Sequence, residues 1–223
     1  MGVILFLVMQ YHPTSEDENL QILQSLVAVQ CTHPRIDRFP FALQPSIQVN
    51  LRDAFTRTEE WYYSALEAFE EEKPRIHWEY TENWFVSARS ERVVSLMGFA
   101  RYHSGGVHPN SSMLGRTVWL DGETLKVARL ADLFNPCSAW MEELSVRVLH
   151  KLRAAGASDV LDETLTALDE RGLDTWGLTR EGIEFLFAPY RVGCYAEGSY
   201  FALVPYEEIR EILNPLGPAA EFR

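Results

Sequence analysis

The chain has 223 residues, of which 47% are hydrophobic and 23% charged, and its 32 acidic against 20 basic residues give a formal net charge of -12. This length and composition fit one large domain or two small, closely packed lobes around a buried core, and they exclude a disordered tail. The negative charge argues against binding to nucleic acids or anionic lipid surfaces. It would attract a basic partner, although acidity that serves only solubility is the alternative.

The N-terminal region begins with an apolar run at residues 3–9, which is too short to cross a bilayer. Two interpretations remain open: a buried strand, which we prefer, or the tail of a secretory signal whose start lies upstream. Residues 15–19 are predicted to be an acidic linker. Residues 20–36, rich in β-branched and aliphatic side chains, are predicted to form the first strand of the main body and to stop at a His-Pro pair.

A long amphipathic helix is predicted from residue 45 to residue 72, with Pro74 ending it. Its apolar residues recur at steps of three, four and seven, which places them on one stripe. That predicted stripe consists of Leu51, Phe55, Tyr62, Leu66 and Phe69.

Two antiparallel hairpins are predicted in the middle of the chain. Residues 75–89 and 92–105 are aromatic and β-branched runs separated by a short polar turn. Residues 116–120 and 125–130 flank Asp121-Gly122, a pair that readily supplies the positive φ angles of a tight turn.

The C-terminal half is predicted to contain two helices and a further hairpin. Asn135 is expected to cap a helix with Pro136 at its first position and Gly156 at its end, and a shorter helix is expected from 158 to 171, closed by Gly172. Their predicted buried positions are Trp140, Leu144, Val148 and Leu152 in the first helix and Leu161, Leu165 and Leu168 in the second. The closing segments are predicted as a hairpin of residues 182–192 and 199–206 around the loop 193–198, and a short helix at 207–213.

Helices interposed irregularly between strands, without a repeating βαβ rhythm, predict an α+β fold. We expect a mostly antiparallel sheet with helices packed on it, in two closely packed lobes. The predicted parts are an N-terminal run and linker (1–19), a lobe of strand, long helix and hairpin (20–99), a C-terminal lobe (100–215) and a tail (216–223).

The segment "YHSGGVHPN" at residues 102–110 is the most unusual loop of the sequence. It lacks the frame of a phosphate-binding loop, its two histidines are too few for a zinc site, and no GxSxG nucleophile motif is present. We therefore predict no catalytic residue, no metal and no cofactor. Gly105 and Gly106 are expected to allow a backbone path that a Cβ would block. The three cysteines have no zinc-like spacing, and buried thiols are the simpler interpretation, with one isolated bridge left open.

Two stretches of the sequence resemble a known bacterial family. These are "GFARYHSGGVHPN" followed by "VWLDGETLKVARLADLF", and "GLTREGIEFLFAPYRVGCYAEGSYFALVPYEEI". They are similar to the domain of unknown function 3298, found in the extracellular part of the anti-sigma factor RsiV and beside the deacetylase domain of the peptidoglycan deacetylase PdaC. The resemblance is firm over residues 100–209 and looser from residue 20, where the chain is similar to the companion N-terminal domain of the 4163 type.

This resemblance implies an extracytoplasmic, non-catalytic binding or sensor module of the cell envelope. The expected ligand is a cationic protein such as lysozyme, which the RsiV domain binds, or a cell-wall glycan. The protein would be periplasmic, secreted, or anchored through a segment upstream, since the chain itself has no apolar stretch long enough to span a membrane. The candidate ligand-binding residues are Tyr102, His103, Gly105, Gly106, His108, Tyr190, Tyr195 and Glu197.

The alternative function belongs to another class. His103, His108 and Glu197 could act in a hydrolase of cell-wall polymer, or the chain could be an accessory domain of a peptidoglycan-modifying enzyme.

Overall fold

A computed structural model describes residues 8–11, 17–23, 27–72 and 78–223 of the chain. Its larger sheet contains seven strands in chain order. They are β1 (Val8–Tyr11), β2 (Asp17–Leu23), β3 (Val27–Pro34), β4 (Trp78–Arg89), β5 (Val93–His103), β6 (Asn110–Asp121) and β7 (Thr124–Val127). The smaller sheet has the order β10-β9-β8, from β8 (Trp176–Leu178), β9 (Gly182–Phe187) and β10 (Tyr200–Pro205).

The larger sheet is antiparallel except where β3 pairs with β4 in parallel. A parallel pair needs a crossover connection, and the long helix α1 (Gln44–Glu72) supplies it. The predicted α+β class with a mostly antiparallel sheet is confirmed.

The prediction of one strand over residues 20–36 was wrong. This segment contains two antiparallel strands, β2 and β3, and residues 17–19 of the predicted acidic linker belong to β2. Both strands are rich in aliphatic and β-branched residues, so composition alone did not separate them. The predicted end at the His-Pro pair is confirmed, since β3 ends at Pro34. Of the apolar run at residues 3–9, only residues 8 and 9 are described, and they belong to β1.

The helix α1 is confirmed, but Tyr62 is the only described side chain of the predicted stripe that lies fully on its buried face. Its buried residues are Ile47, Asn50, Ala54, Thr58, Tyr62 and Ala65. Leu51, Phe55 and Leu66 are only partly buried and flank this face, while the side chain of Phe69 and Pro74 lie outside the described residues. Small and polar side chains in the centre let the helix approach the sheet closely, and the larger apolar groups then pack on either side.

The larger sheet separates two hydrophobic cores. On one face, α1 packs over residues such as Val29, Leu96 and Val118. The other face carries the smaller sheet and the helix α2 (Trp140–Ala155). Because successive side chains of a strand point to opposite faces, the neighbours Val93 and Val94 of β5 enter different cores.

The three predicted hairpins are confirmed, although the strand predicted at 182–192 ends at Phe187. β4 and β5 pair in antiparallel fashion, as do β6 with β7 and β9 with β10. Gly122 has a φ of 62°, as the tight turn between β6 and β7 requires. The short strand β8, which pairs with β9, was not predicted.

The boundaries of the C-terminal helices differ from the predictions. The helix α2 begins at Trp140, because Asn135 uses its side-chain oxygen to accept the Cys137 N–H within a preceding turn. Its predicted end is confirmed, since Gly156 closes it with a φ of 88°. The last helix, α4, covers only Tyr206–Ile209.

The predicted helix at 158–171 was wrong beyond its first turn. Only α3 (Ser158–Leu161) is helical, and Leu161 is 52% exposed. Asp162 accepts the Thr164 N–H in a local turn, which competes with a continued helix. Leu168 is buried as predicted, and its N–H donates to the Ser145 hydroxyl.

The three thiols do not share one environment. Cys31 is buried, whereas Cys137 and Cys194 are exposed, and all are free. The expectation of three buried cysteines was therefore wrong for the last two, which lie in surface turns. The predicted boundary between the two lobes, at residues 99 and 100, falls within β5. None of the helices in the described ranges is long and apolar enough to cross a membrane.

Candidate functional site

Two loops meet through three aromatic rings. The first loop (residues 104–109) joins β5 to β6, and the second loop (residues 188–199) joins β9 to β10. The rings of His108 and Tyr195 are stacked, with centroids 3.7 Å apart and planes inclined by 19°. Tyr190 lies 5.5 Å from Tyr195 and 6.4 Å from His108, centroid to centroid. We call His108, Tyr190 and Tyr195 the aromatic cluster.

Hydrogen bonds fix the geometry of the aromatic cluster. The carbonyl oxygen of Pro109 accepts both the Nδ1–H of His108, at 3.0 Å, and the hydroxyl of Tyr195, at 2.6 Å. With Nδ1 as donor, Nε2 of His108 is free to accept the Tyr190 hydroxyl at 3.3 Å. The two loops are thus joined by both stacking and hydrogen bonding.

Tyr190 has two properties that mark it as the exposed centre of the site. Its side chain is 61% exposed, and its φ of 72° lies in the left-handed region. This conformation costs an L-residue about 1 kcal/mol, and such strain clusters at ligand-binding positions. A large ring held out toward solvent by a strained backbone is available to a partner.

Glu197 supports the second loop from within. Its carboxylate accepts hydrogen bonds from the Ser158 hydroxyl at 2.7 Å, the Tyr200 hydroxyl at 2.7 Å and the Cys194 N–H at 3.1 Å. These bonds, the Ser158 hydroxyl foremost, lower the pKa of Glu197 to about 2. A Cβ on residue 193 would collide with the carboxylate, so Gly193 makes room for it. Glu197 is therefore a loop anchor that stays ionised at neutral pH.

The remaining predicted residues lie on or beside the first loop. Nε2 of His103 bonds to the Gly106 carbonyl at 3.0 Å, and Tyr102 is half-buried on β5 against the core beneath α1. Gly105 has a φ of 84°, as expected for a glycine that the backbone requires. The same expectation was wrong for Gly106, whose φ is not positive and where an added Cβ would have its nearest neighbour 3.8 Å away.

The structure therefore unites only part of the predicted set. His108, Tyr190 and Tyr195 come together, while the carboxylate of Glu197 and the ring of His103 bond to other groups. Within the described ranges, no group of three or more His, Cys, Asp or Glu residues could hold a metal ion.

An acidic segment at residues 158–174 borders the second loop, a contact that sequence reasoning missed because it predicted a helix there. The segment contacts the loop through the Asp159 N–H, which donates to the Val192 carbonyl at 3.3 Å, and through an ion pair of Arg191 with Asp174 at 3.2 Å. It contains six carboxylates and one basic residue, Arg171. The carboxylates are Asp159, Asp162, Glu163, Asp169, Glu170 and Asp174.

Comparison with known proteins finds a family match that covers part of this site. Residues 131–207 match DUF3298, described as a protein family of unknown function. The DUF3298 match covers 77 of 223 residues and contains Tyr190, Tyr195 and Glu197, while His108 and the first loop lie before it. No curated protein matches the chain significantly.

Two crystal structures of DUF3298 proteins are similar to the whole chain. One is a DUF3298 family member from Bacteroides fragilis, with a TM-score of 0.59 and 15% identity, covering 95% of this chain and 94% of that one. The other is a DUF3298 family protein from Pseudomonas aeruginosa, with a TM-score of 0.60 and 16% identity, at the same coverage. At this identity the likeness establishes only the fold, which each of the two proteins shares with this chain along nearly its full length.

Proposed function

We propose that this protein is a non-catalytic binding module of the cell envelope that recognises a cationic protein such as lysozyme. The observation that carries the proposal is the aromatic cluster, in which Tyr190 is held in solvent by contacts between two loops. Tyrosine is enriched at the energetic centres of protein interfaces because it offers a rigid apolar face with a polar tip.

The charge distribution supports a basic partner over an acidic one. The chain carries a net charge of -12, and the segment 158–174 beside the second loop contributes six carboxylates against one arginine. Such a surface accelerates encounter with a cationic protein and disfavours an anionic one. The lysine and arginine side chains of that partner could also stack on the tyrosine faces.

Extracytoplasmic location and a relationship to the RsiV and PdaC domains are part of this proposal, as is a companion domain of the 4163 type in the N-terminal lobe. They rest on the resemblance of the motifs at residues 100–209, to which the DUF3298 match at residues 131–207 adds support at the level of the family.

A calorimetric titration with hen egg-white lysozyme at low salt tests the binding proposal. We expect binding that weakens as salt is added, and that weakens about tenfold, or about 1.4 kcal/mol, in Tyr190→Ala. Tyr63→Ala is the matched control, because Tyr63 is a 53% exposed tyrosine on α1 and belongs to neither loop. A second pair of variants tests the acidic segment. Glu170→Lys should weaken lysozyme binding, whereas the control Glu67→Lys on α1 should not.

Three outcomes would overturn the proposal. They are absence of binding, equal weakening in Tyr190→Ala and Tyr63→Ala, or binding to soluble peptidoglycan fragments without binding to lysozyme. The last outcome would establish the cell-wall glycan as the ligand. Release of soluble products from peptidoglycan, lost in His108→Ala, would instead establish the hydrolase.

A further inference from the structure

A groove of about 690 Å³ lies outside the aromatic cluster and is lined by three arginines. Arg180 lies in the turn that joins β8 to β9, Arg210 directly follows α4, and Arg223 comes from the C-terminal segment. The turn is held in place by Tyr206, whose N–H donates to the Glu181 carbonyl and whose hydroxyl donates to the Thr179 carbonyl, both at 3.0 Å. The groove is thus built on a fixed frame.

The arginine side chains of this groove have few partners within the described part of the protein. Among the described residues, Arg180 and Arg210 form no ion pair or side-chain hydrogen bond, and Arg223 donates only to the Pro215 carbonyl, at 3.4 Å. Two carboxylates, Glu181 and Glu207, also line the groove, yet neither pairs with these arginines. In a protein with 32 acidic and 20 basic residues, arginines left unpaired in one concave site are available to an anion.

The rest of the groove wall is apolar. Leu203 and Pro205 of β10, the ring of Tyr206 and the ring of Phe222 form it. Tyr206 is buried and its hydroxyl donates to the Thr179 carbonyl, so it adds no charge to the groove. A ligand that fills this groove needs an apolar body as well as a negative charge.

We infer that this groove binds an organic carboxylate with an apolar, preferably aromatic, body. The planar forks of Arg180 and Arg210 match the two oxygens of a carboxylate, and a ring would pack against Phe222 and Leu203. This site shares no residue with the aromatic cluster, so the inference stands independently of the proposed function.

Isothermal titration of the full chain with naphthalene-2-carboxylate tests the inference. We expect this carboxylate to bind at least about tenfold more tightly than naphthalene-2-carboxamide, which has the apolar body but no charge. It should also bind at least about tenfold more tightly than acetate or inorganic phosphate, which are charged but lack the apolar body. Arg180→Gln and Arg210→Gln should each weaken naphthalene-2-carboxylate about tenfold. Arg52→Gln, an exposed arginine of α1, should leave binding unchanged.

The three arginine variants change exposed side chains, so thermal unfolding should confirm that all remain folded. Equal affinity for the carboxylate and the carboxamide would overturn the inference, because the arginines would then contribute nothing. Unchanged binding in both Arg180→Gln and Arg210→Gln would overturn it as well, as would tighter binding of inorganic phosphate than of the carboxylate.

Discussion

Two histidines that precede a proline in the described residues, His33 and His108, donate from Nδ1 to the carbonyl of that proline. His108 does so at the surface, where its Nε2 accepts the Tyr190 hydroxyl. His33 does so in the interior, where its Nε2 accepts the Asn50 amide at 3.0 Å. The same local motif therefore fixes the ring of one histidine in a candidate binding site and of the other in a core.

The core around His33 also contains a carboxylate that accepts several hydrogen bonds. Glu82 is fully buried, and its oxygens accept the Arg57 guanidinium at 2.6 Å, the Tyr80 hydroxyl at 2.6 Å and the Trp84 indole N–H at 2.7 Å. Burial, with a smaller effect of Glu82, raises the pKa of the nearby Cys31 thiol to about 12. Cys31 is therefore an inert thiol at neutral pH.

The first prediction concerns the pH dependence of stability and belongs to His33. The groups that face its ring are Asn50, the Pro34 carbonyl, Trp84 and Glu82. Burial outweighs the attraction of Glu82 and lowers the pKa of His33 from 6.5 to about 4. Since the unfolded chain binds the proton first, the free energy of unfolding should fall by about 3 kcal/mol as pH drops from 6.5 to 4.

Urea unfolding of the wild type and His33→Gln across this pH range measures the effect. The wild type should be the more stable protein at neutral pH, and the difference in the free energy of unfolding between the two proteins should shrink as the pH falls. The control His150→Gln changes an exposed histidine of α2, and its free energy of unfolding should differ from that of the wild type by the same amount at every pH. A constant difference for His33→Gln would contradict the prediction.

At the scale of elements, glycines determine how closely the two sheets pack. A Cβ on Gly115 of β6 would collide with the Trp176 carbonyl of β8, a backbone atom that cannot move aside. Next to this contact, Ser95 of β5 accepts the Leu178 N–H at 2.8 Å and bonds to the Thr117 hydroxyl at 2.9 Å. The smaller sheet therefore sits directly on the backbone of the larger one.

The second prediction is that Gly115→Ala separates these strands and lowers the free energy of unfolding by about 3 kcal/mol. Gly106→Ala is its control, because that position has room for a Cβ and no positive φ, and it should change stability by no more than about 0.5 kcal/mol. Urea unfolding gives the stabilities, and near-ultraviolet circular dichroism reports on the packing of Trp176. Equal losses of stability in Gly115→Ala and Gly106→Ala would contradict the close approach of β6 to β8.

At the scale of the whole molecule, both cores depend on the same central strands. Val93 and Trp119 enter one core, and their neighbours Val94 and Val118 enter the other. Loss of either core would expose one face of β5 and β6 and remove the support of the opposite face. We therefore expect the two halves of the fold to unfold together.

The third prediction is one cooperative unfolding transition in urea, coincident by far-ultraviolet circular dichroism and by tryptophan fluorescence. Leu144→Ala in the core of α2 and Leu43→Ala in the core of α1 remove fully buried side chains, and each should lower the stability of this single transition by about 3 kcal/mol. Two transitions, each sensitive to only one substitution, would show that the predicted lobes fold independently.

The sequence by itself determined those features whose cause is local. The Asp-Gly turn, the end of β3 at a His-Pro pair, the left-handed Gly156 and the long α1 were all predictable because propensity and turn chemistry act over a few residues. The same local signals placed His108, Tyr195 and Glu197 in loops but Tyr190 in a strand, and the motifs around them resemble the family that residues 131–207 match.

Only the tertiary structure decided which of these residues meet and which are occupied elsewhere. The stack of His108 on Tyr195 joins positions 87 residues apart, and the engagement of Glu197 by Ser158 joins positions 39 apart. The burial of Asn50 and Thr58 on α1 and the parallel pairing of β3 with β4 also depend on contacts that are distant along the chain. Partners that are distant along the chain leave no periodic signal, because burial, stacking and charge pairing depend on the packing of whole elements.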